Sequence, residues 1–531
     1  MDDFSPSPST SSSARSVDLK HQKDPSSGEG ASLPDLMPEN QAKLSQLKKW
    51  SLLALFSLGF FVDIWSYSAF FVFTGPISEA LDIQVEQQTW VITSYAVTFA
   101  SFLLLWGRVS DLWSAKPVFS FGFLALGILN LVISFLPDKY SFFVLRAISG
   151  IAGACLIPAA FRLIVAVFEP HELGKAFTLY GLAGALANTT GTIIAGFIEY
   201  IPNGGQGEAW RWFFRILAIL IMPLAIASLY VIPAPKGAIA GADDKWKRLD
   251  VVGAFSMLAG IVLLILGLTL GASYGWKKAG FLVPFLLSWV LIVFFFFWEA
   301  RLSDVHALLP AKTWRIPNFA VFIALALFIY GWWAVNFLPF VELFVQVHHD
   351  RAIIAAIRLL PQGIAGAIMT AVLTTYPQLT SNPRWPISVG LIGGSIGYIL
   401  FTQSKGDIVG SGYWRWVFTG GFIGSSGNVI AFTGTNVAIM TSVPPEMSGV
   451  AGAVLQVALQ VGSAVALSIQ AGLLTIKEGN VDNFENVKIS WYFELGWNLL
   501  WLVGFPALYR PVKNDVSSAE DGAEQGVEVK S

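Results

Sequence analysis

The chain has 531 residues, of which 54% are hydrophobic and only 13% are charged, and its net charge is −2 at pH 7. About 25% of the residues of a soluble domain are charged, so this composition lacks the polar surface that a water-soluble protein of this size needs. The near-zero net charge offers no basic surface for nucleic acid, and the single cysteine, Cys155, excludes a disulfide framework and a cysteine-based metal site. An integral membrane protein is therefore expected.

Fourteen stretches of the sequence are apolar and long enough to cross a bilayer as helices, which need about 20 mostly apolar residues. They are continuously apolar, whereas the strands of a membrane barrel alternate and are about 10 residues long. The sequence therefore predicts an all-α polytopic membrane protein. The expected spans 1 to 14 lie near residues 50–73, 88–107, 117–136, 140–162, 176–199, 212–232, 250–271, 280–298, 318–341, 352–376, 385–402, 415–441, 449–475 and 491–509.

Both ends of the chain are polar. Residues 1–48 are rich in Ser and Pro, so we expect a disordered N-terminal tail. Residues 511–531 are expected to form an acidic C-terminal tail. No apolar segment precedes residue 50, and the first span is expected to serve as the targeting signal. With a cytosolic N-terminus, sixteen Lys and Arg residues of the short loops are cytosolic and nine lie outside. This bias predicts that both termini face the cytosol.

Two ionisable residues are predicted to lie deep in the membrane, where such groups are usually functional. Asp63 lies about 13 residues along span 1, roughly 20 Å into a core of about 30 Å. Arg146 lies about six residues into span 4 from the other side, roughly 9 Å down. The two residues are at the same height and could pair. Either they form a fixed structural contact, or Asp63 exchanges a proton while Arg146 sets its pKa; we favour the second interpretation.

Other ionisable residues are weaker candidates. Arg358 and Glu494 fall within two turns of a predicted span end, where snorkelling of the side chain to the interface is the ordinary explanation. His348, His349 and Asp350 are consecutive in an outer loop, and adjacent residues do not share one face. We therefore predict no metal site.

Neutral polar and aromatic residues also interrupt the apolar spans. They either form hydrogen bonds between helices or line a central cavity. The candidates for a substrate cavity are Tyr95, Asn188, Trp332, Trp333, Asn336, Asn428, Asn436, Gln456 and Gln460.

Span 2 ends in the sequence Gly-Arg-Val-Ser-Asp at residues 107–111. This pattern resembles the G-x-x-x-D-x-x-G-R-K loop between spans 2 and 3 of the major facilitator superfamily, with Ser and Ala in place of the second glycine and the arginine. Residues 145–150, which include Arg146, resemble the R-x-x-q-G motif in span 4 of that superfamily. Asp63 stands where the fourteen-span members carry an aspartate in span 1. The positions matching the loop motif are Gly107, Arg108, Asp111 and Lys116.

Two further stretches extend this resemblance. Residues 191–196 are similar to the G-P-x-x-G-G antiporter motif of span 5, with Gly191 and Gly196 retained and Thr192 replacing the proline. Residues 444–452 resemble the entry to the penultimate span in the fourteen-span drug:proton antiporter family. The similarity covers nearly all of residues 45–510 and is closest to fungal-type members.

The resemblance implies a major facilitator fold with fourteen transmembrane helices in a six-plus-two-plus-six layout. Residues 49–232 and 318–510 would be the two six-helix halves, and residues 233–317 would hold two inserted helices with their connecting loops. Substrate would bind near the midplane, and rocking would expose it to either side in turn. Asp111 would cap or pair across the cytosolic side in the outward-facing state, with Arg108 and Lys116 as nearby charges, unless it is simply a solvated loop acid.

These observations together predict a secondary active transporter, not an enzyme, with no cofactor. No nucleotide-binding motif supports an ATP-driven pump. The first hypothesis is proton-coupled efflux of a small organic compound or drug by a monomer in the plasma membrane, with the vacuolar membrane as the alternative. A second hypothesis is facilitated or proton-linked transport of a small solute such as ammonium or borate. A transporter-like nutrient sensor is the alternative of another class.

Overall fold

The computed structural model describes residues 44–84, 87–88, 90–201, 205–233, 249–303, 306–444, 447–479 and 481–511. Nearly all of the two predicted polar tails lies outside these residues. Within the described ranges the regular secondary structure is helical throughout. Twelve helices of this part combine the length and the hydropathy needed to cross a membrane. The predicted all-helical polytopic class is therefore confirmed.

We number the long helices α1 to α14 in chain order, so that each number is also that of the expected span. Their bounds are α1 Gln46–Ser68, continued by Phe70–Ala80; α2 Trp90–Leu112; α3 Ala115–Ile133; α4 Lys139–Val167; α5 Pro170–Ile198; α6 Ala209–Val231; α7 Val251–Tyr274; α8 Ala279–Glu299; α9 Phe319–Val347; α10 Ala352–Thr375; α11 Arg384–Gln403; α12 Thr419–Ser442; α13 Ser448–Leu473; and α14 Phe484–Leu508.

The helices pack as two bundles with a helical hairpin at their side. In the N-bundle, which comprises α1 to α6, α1 packs on α5, α2 on α4 and α3 on α6. In the C-bundle, which comprises α9 to α14, α11 packs on α12 and α14, and α9 packs on α13. The bundles meet where α2 and α4 contact α13 and where α5 contacts α10. Helices α7 and α8 pack on each other, and α7 also contacts α2 and α13.

Three of the long helices are interrupted: α1 at Ala69, between its two ranges, and α4 and α9 near their middle. Helix α4 consists of Lys139–Ala154 and Leu156–Val167, with the break at Cys155. Pro158 has no N–H to donate to the carbonyl of Ala154 four residues earlier, which explains why the helix is interrupted there. Helix α9 is broken at Tyr330, between Phe319–Ile329 and Gly331–Glu342. Breaks of this kind leave backbone N–H and C=O groups free to bind a ligand in a cavity.

Ion pairs and hydrogen bonds define the two ends of the molecule. We call the end where α1 begins at Gln46 the N-terminal face, and the other end the opposite face. At the N-terminal face, the Lys49 ammonium of α1 lies 3.2 Å from the Glu169 carboxylate and 3.0 Å from that of Glu172, at the start of α5. At the opposite face, Arg211 at the start of α6 donates to the carbonyls of Ser134 and Leu136 at the end of α3.

The Arg211 contacts at the opposite face yield a prediction about stability. The guanidinium donates to Ser134 O at 3.1 Å, to Leu136 O at 2.8 Å and to Glu208 Oε2 at 2.9 Å, and the residue is 6% exposed. We expect Arg211→Ala to lower the free energy of unfolding by about 3 kcal/mol, because hydrogen bonds to charged groups are lost and buried carbonyls lose their donor.

Thermal unfolding of the detergent-solubilised protein measures this effect. Arg415→Ala, which removes an exposed arginine next to Trp416, is the matched control. Equal midpoints for the two variants would contradict the role assigned to Arg211.

Candidate functional site

A cavity of about 100 Å³ lies between the N-bundle and the C-bundle. Helices α1, α2, α4 and α5 line it from one side, and α9, α12 and α13 line it from the other. Eight lining residues are aromatic: Phe60, Tyr67, Phe71, Tyr95, Phe99, Tyr330, Trp333 and Phe432. Asp63 is the one charged residue among the described residues that line this space. The cavity is therefore an aromatic chamber with a single carboxyl group.

Asp63 is held on the buried side of α1 and is 4% exposed. Its Oδ1 accepts a hydrogen bond from the hydroxyl of Tyr95 on α2. Phe60, Ile64, Tyr67 and Phe71 surround it at spacings of three and four residues, which place all five side chains on one helix face. The sequence therefore does carry a signal for the aromatic lining, in the helical spacing around the buried acid.

Arg146 of α4 is completely buried. Its guanidinium contacts a backbone carbonyl and two aromatic rings instead of pairing directly with the Asp63 carboxylate. Its Nη2 donates to the carbonyl of Ser66 at 3.0 Å, and its guanidinium lies 4.1 Å from the ring centroid of Phe70 and 4.8 Å from that of Tyr95. Among the described residues, no ion pair within 4.0 Å joins Arg146 to Asp63. Tyr95 touches both residues, through its hydroxyl and its ring face, and so connects the two charges.

Five of the nine residues expected in the cavity do line it, namely Tyr95, Asn188, Trp333, Gln456 and Gln460. The other four are buried inside the C-bundle. The indole of Trp332 donates to Ser425 Oγ at 3.0 Å and stacks on Phe401, and the amide of Asn428 donates to Gly424 O at 2.9 Å. Neighbouring helix positions point about 100° apart, which separates Trp332 from the cavity-lining Trp333. The remaining buried residues are Asn336 and Asn436.

A second cluster joins the bundles at the N-terminal face. Asp111, at the end of α2, is 9% exposed, and its Oδ1 accepts a hydrogen bond from Arg162 Nη1 of α4 at 3.0 Å. Its Oδ2 accepts from the backbone N–H of Val450 at 3.1 Å, in the first turn of α13. An acceptor from the N-bundle thus satisfies a free N–H at the start of a C-bundle helix. We call Asp111, Arg162 and Val450 the gate cluster.

Small residues allow this approach of α2 to α13. A Cβ atom added to Gly107 would lie 2.8 Å from Ala453 Cβ, and one added to Gly449 would lie 2.5 Å from Asp111 Oδ1. Arg108 lies one turn before Asp111 on α2, and Lys116 lies at the start of α3. The ion-pair partner of Asp111 is Arg162, which the sequence pattern did not single out.

The span 5 residues lie along the packed faces of α5. Gly191 faces Ser68 of α1, and Thr192 is fully buried and donates to Thr189 O at 2.8 Å. Gly196 faces α10, where an added Cβ would lie 2.8 Å from Ile353 Cα. Helix α5 therefore contacts α1 within its own bundle and α10 across the boundary between bundles.

Comparisons with known proteins agree with this architecture. The family model of the Major Facilitator Superfamily matches residues 56–251. The chain is 26% identical over 477 residues to a major facilitator superfamily multidrug transporter, mfsC, of Aspergillus fumigatus, and the alignment covers 86% of each protein. It is 22% identical over 418 residues to the low affinity ammonium transporter of Saccharomyces cerevisiae, covering 77% of this chain and 78% of that protein.

A solved structure shows the same fold. The proton:xylose symporter XylE, bound to 6-bromo-6-deoxy-D-glucose, superimposes with a TM-score of 0.59. The superposition covers 87% of this chain and 95% of that one, at 14% sequence identity. The likeness at this identity concerns the fold and carries no information about substrate.

Proposed function

We propose that this chain, a member of the major facilitator superfamily and a secondary transporter, exports a small organic compound in exchange for protons. The family model that matches residues 56–251 agrees with the motif resemblance to the superfamily. The observation that carries the proposal is the single carboxyl group of Asp63 inside an aromatic chamber between two helix bundles. The relative from Aspergillus fumigatus is described as a multidrug transporter.

The chamber has the chemistry expected of a site for amphiphilic organic compounds. Aromatic rings supply apolar area and can hold a cationic group over their faces. Amide groups from Asn188, Gln456 and Gln460 offer a few hydrogen bonds that orient a ligand. Asp63 can then bind either a proton or the positive group of a ligand, but not both at full strength. Competition for one carboxylate is the simplest way to exchange one for the other.

Alternating access follows from how the bundles meet. The gate cluster holds α2, α4 and α13 together at the N-terminal face, and α5 packs along α10 farther toward the opposite face. Opening either face requires that one of these contacts be released while the other is kept. Such an arrangement has two discrete states, and a ligand shifts their populations only if it binds them differently.

We further propose fourteen spans in a six-plus-two-plus-six layout. Helices α12 and α14 have 24 and 25 residues, long enough at 1.5 Å per residue to cross a core of about 30 Å. Both pack beside α11, which is itself apolar enough to cross. An even number of spans places both termini on one side, and the excess of Lys and Arg makes that side cytosolic. The plasma membrane is the proposed location, and the monomer is the proposed unit.

Liposomes that contain the purified chain test the transport reaction. An imposed pH gradient, with ethidium as the probe, should drive ethidium movement that collapses when the gradient is dissipated. Methylammonium tests the alternative suggested by the ammonium-transporting relative. Movement of methylammonium without a pH requirement, together with no gradient-driven ethidium movement, would contradict proton-coupled export and favour a pathway for small solutes.

A glycine between the bundles yields a prediction about transport rate. A Cβ atom added to Gly363 of α10 would lie 2.4 Å from Thr189 Oγ1 and 2.7 Å from Thr189 Cβ on α5. Overpacking costs about 1–3 kcal/mol, so we expect Gly363→Ala to slow gradient-driven ethidium transport about tenfold by altering the surface on which α5 and α10 move. Gly504→Ala is the matched control, because an added Cβ there meets nothing within 4 Å. Equal initial rates for the two variants would contradict this role for Gly363.

A further inference from the structure

Glu494 occupies a place that the sequence did not predict. The expected span 14 began near residue 491, which put Glu494 close to an interface. Helix α14 in fact begins at Phe484, so Glu494 lies ten residues along it, about 15 Å from its start, and is 3% exposed. A snorkelling side chain is therefore the wrong explanation. This carboxyl group is enclosed in the interior of the C-bundle.

The buried face of α14 is unusually polar for a membrane helix. Asn486, Ser490, Glu494 and Asn498 follow one another at intervals of four residues and are all buried. The other face carries large apolar side chains that are 36% to 75% exposed, among them Phe493 and Val503. Polar groups inside a helical membrane protein are costly unless they have partners or a function.

The groups that face Glu494 come from three other helices. On α9, a Cβ atom added to Gly331 would lie 3.3 Å from Glu494 Oε2, and on α13 Ala466 lies beside the same point. On α11, Tyr398 is the titratable group within electrostatic reach of the carboxyl. The described residues place no positive charge against Glu494. Its Oε2 has no hydrogen-bond partner within the described structure, whereas the hydroxyl of Tyr398 faces the amide of Asn336.

An isolated carboxylate without a cation is too costly in such an interior, so the group must carry a proton. Glu494 differs here from Asp63, which receives a hydrogen bond from Tyr95 and lies near Arg146. The proton balance of the site is simple: the carboxylate takes one proton to become a neutral acid, and it returns that proton when its surroundings become polar. The C-bundle thus contains a proton-binding group of its own.

The break in α9 connects this group to the central cavity. Tyr330 and Trp333 line the cavity. Gly331 lies between them in the chain and faces the carboxyl group of Glu494. A ligand that shifts the backbone of α9 at Tyr330 or Trp333 would move Gly331 relative to the carboxyl. We propose that Glu494 is a second proton-binding site, linked to occupation of the cavity through the break in α9. The linkage to transport rests on the proposed function, whereas the proton-binding site does not.

Infrared spectroscopy of the reconstituted full chain tests the site, because a protonated carboxyl group has its own carbonyl band. We expect Glu494→Gln to lose one such band at pH 7, and Glu494→Asp to keep a shifted one. Glu485→Gln, on the same helix but half-exposed and paired with Lys488, should leave the protonated-carboxyl bands unchanged. A Glu494→Gln spectrum that retains every protonated-carboxyl band of the natural chain would overturn the proposal.

The link to α9 has a separate readout. Gly331→Ala places a methyl group next to the carboxyl and should shift the Glu494 band, whereas Gly504→Ala should not. An unshifted band in Gly331→Ala would overturn the link. The Glu494 band should persist in Asp63→Asn whether or not that variant transports ethidium. Failure of proton-coupled export is therefore distinguishable from failure of the Glu494 site.

Discussion

Replacing Asp63 with Asn is expected to reduce pH-gradient-driven ethidium transport to the level of empty liposomes. The substitution removes the one carboxyl group that lines the cavity in the described structure. Without it, neither a proton nor a cationic group has a charged site to occupy. The pH gradient then cannot drive transport, because no proton is bound and released during the cycle. A coupling free energy requires two ligands whose binding depends on each other, and the variant retains only one of them.

The protein should still fold in this variant. Asn has nearly the same shape as Asp, and its amide oxygen can still accept the hydrogen bond from the Tyr95 hydroxyl. Arg146 keeps its own contacts, because it donates to Ser66 O at 3.0 Å and lies over the rings of Phe70 and Tyr95. We therefore expect the thermal unfolding midpoint to change little while coupling is lost.

Asp82→Asn is the matched control for this experiment. Asp82 follows the same helical stretch, its side chain is exposed, and its positive φ of 50° is one that Asn tolerates well. Lys139 bonds to the backbone carbonyl of Asp82, which the substitution leaves unchanged. Full gradient-driven transport by Asp63→Asn would refute the coupling role, whereas residual movement that ignores the gradient would indicate a facilitated pathway.

Counting along a helix predicts that Asp63 lies deep in the membrane, because each residue adds a fixed rise, and in the structure the residue is buried. Counting could not predict that Tyr95 donates a hydrogen bond to Asp63, since the rotation of α2 about its axis is set by packing against α1 and α4. For the same reason the sequence grouped Trp332 with Trp333, although only Trp333 reaches the cavity. Depth can be predicted from one helix, whereas neighbours require the relative rotation of several.

Motifs and hydropathy had a similar limit. The loop motif singled out Asp111 but not its partner Arg162, which lies 51 residues away on another helix. The sequence predicts that Glu494 lies near an interface, because polar residues lower the hydropathy of the first turns of α14. Long apolar runs therefore predicted the helices well, while polar residues within helices were predicted worst, and these are the residues that form the sites.

The gate cluster leads to the second large prediction, which concerns the N-terminal face. Asp111→Ala removes both the ion pair to Arg162 and the acceptor for the Val450 N–H, and the second bond is the one that joins the two bundles. A hydrogen bond to a charged group contributes about 1.5–3 kcal/mol, and each 1.4 kcal/mol is tenfold in an equilibrium. We expect the open form of this face to become at least tenfold more populated.

Alkylation of a cavity cysteine measures this opening. In a Cys155→Ala background, Ala96→Cys places a thiol among the cavity-lining residues, and a charged maleimide reports access from the N-terminal face of oriented vesicles. Asp111→Ala should raise the alkylation rate tenfold or more, and Asp111→Asn should raise it less, because Asn still offers Val450 an acceptor. Equal rates in Asp111→Ala and its parent would show that the face is closed by helix packing alone. Equal and raised rates in Asp111→Asn and Asp111→Ala would assign closure to the ion pair with Arg162 instead of to the cap on α13.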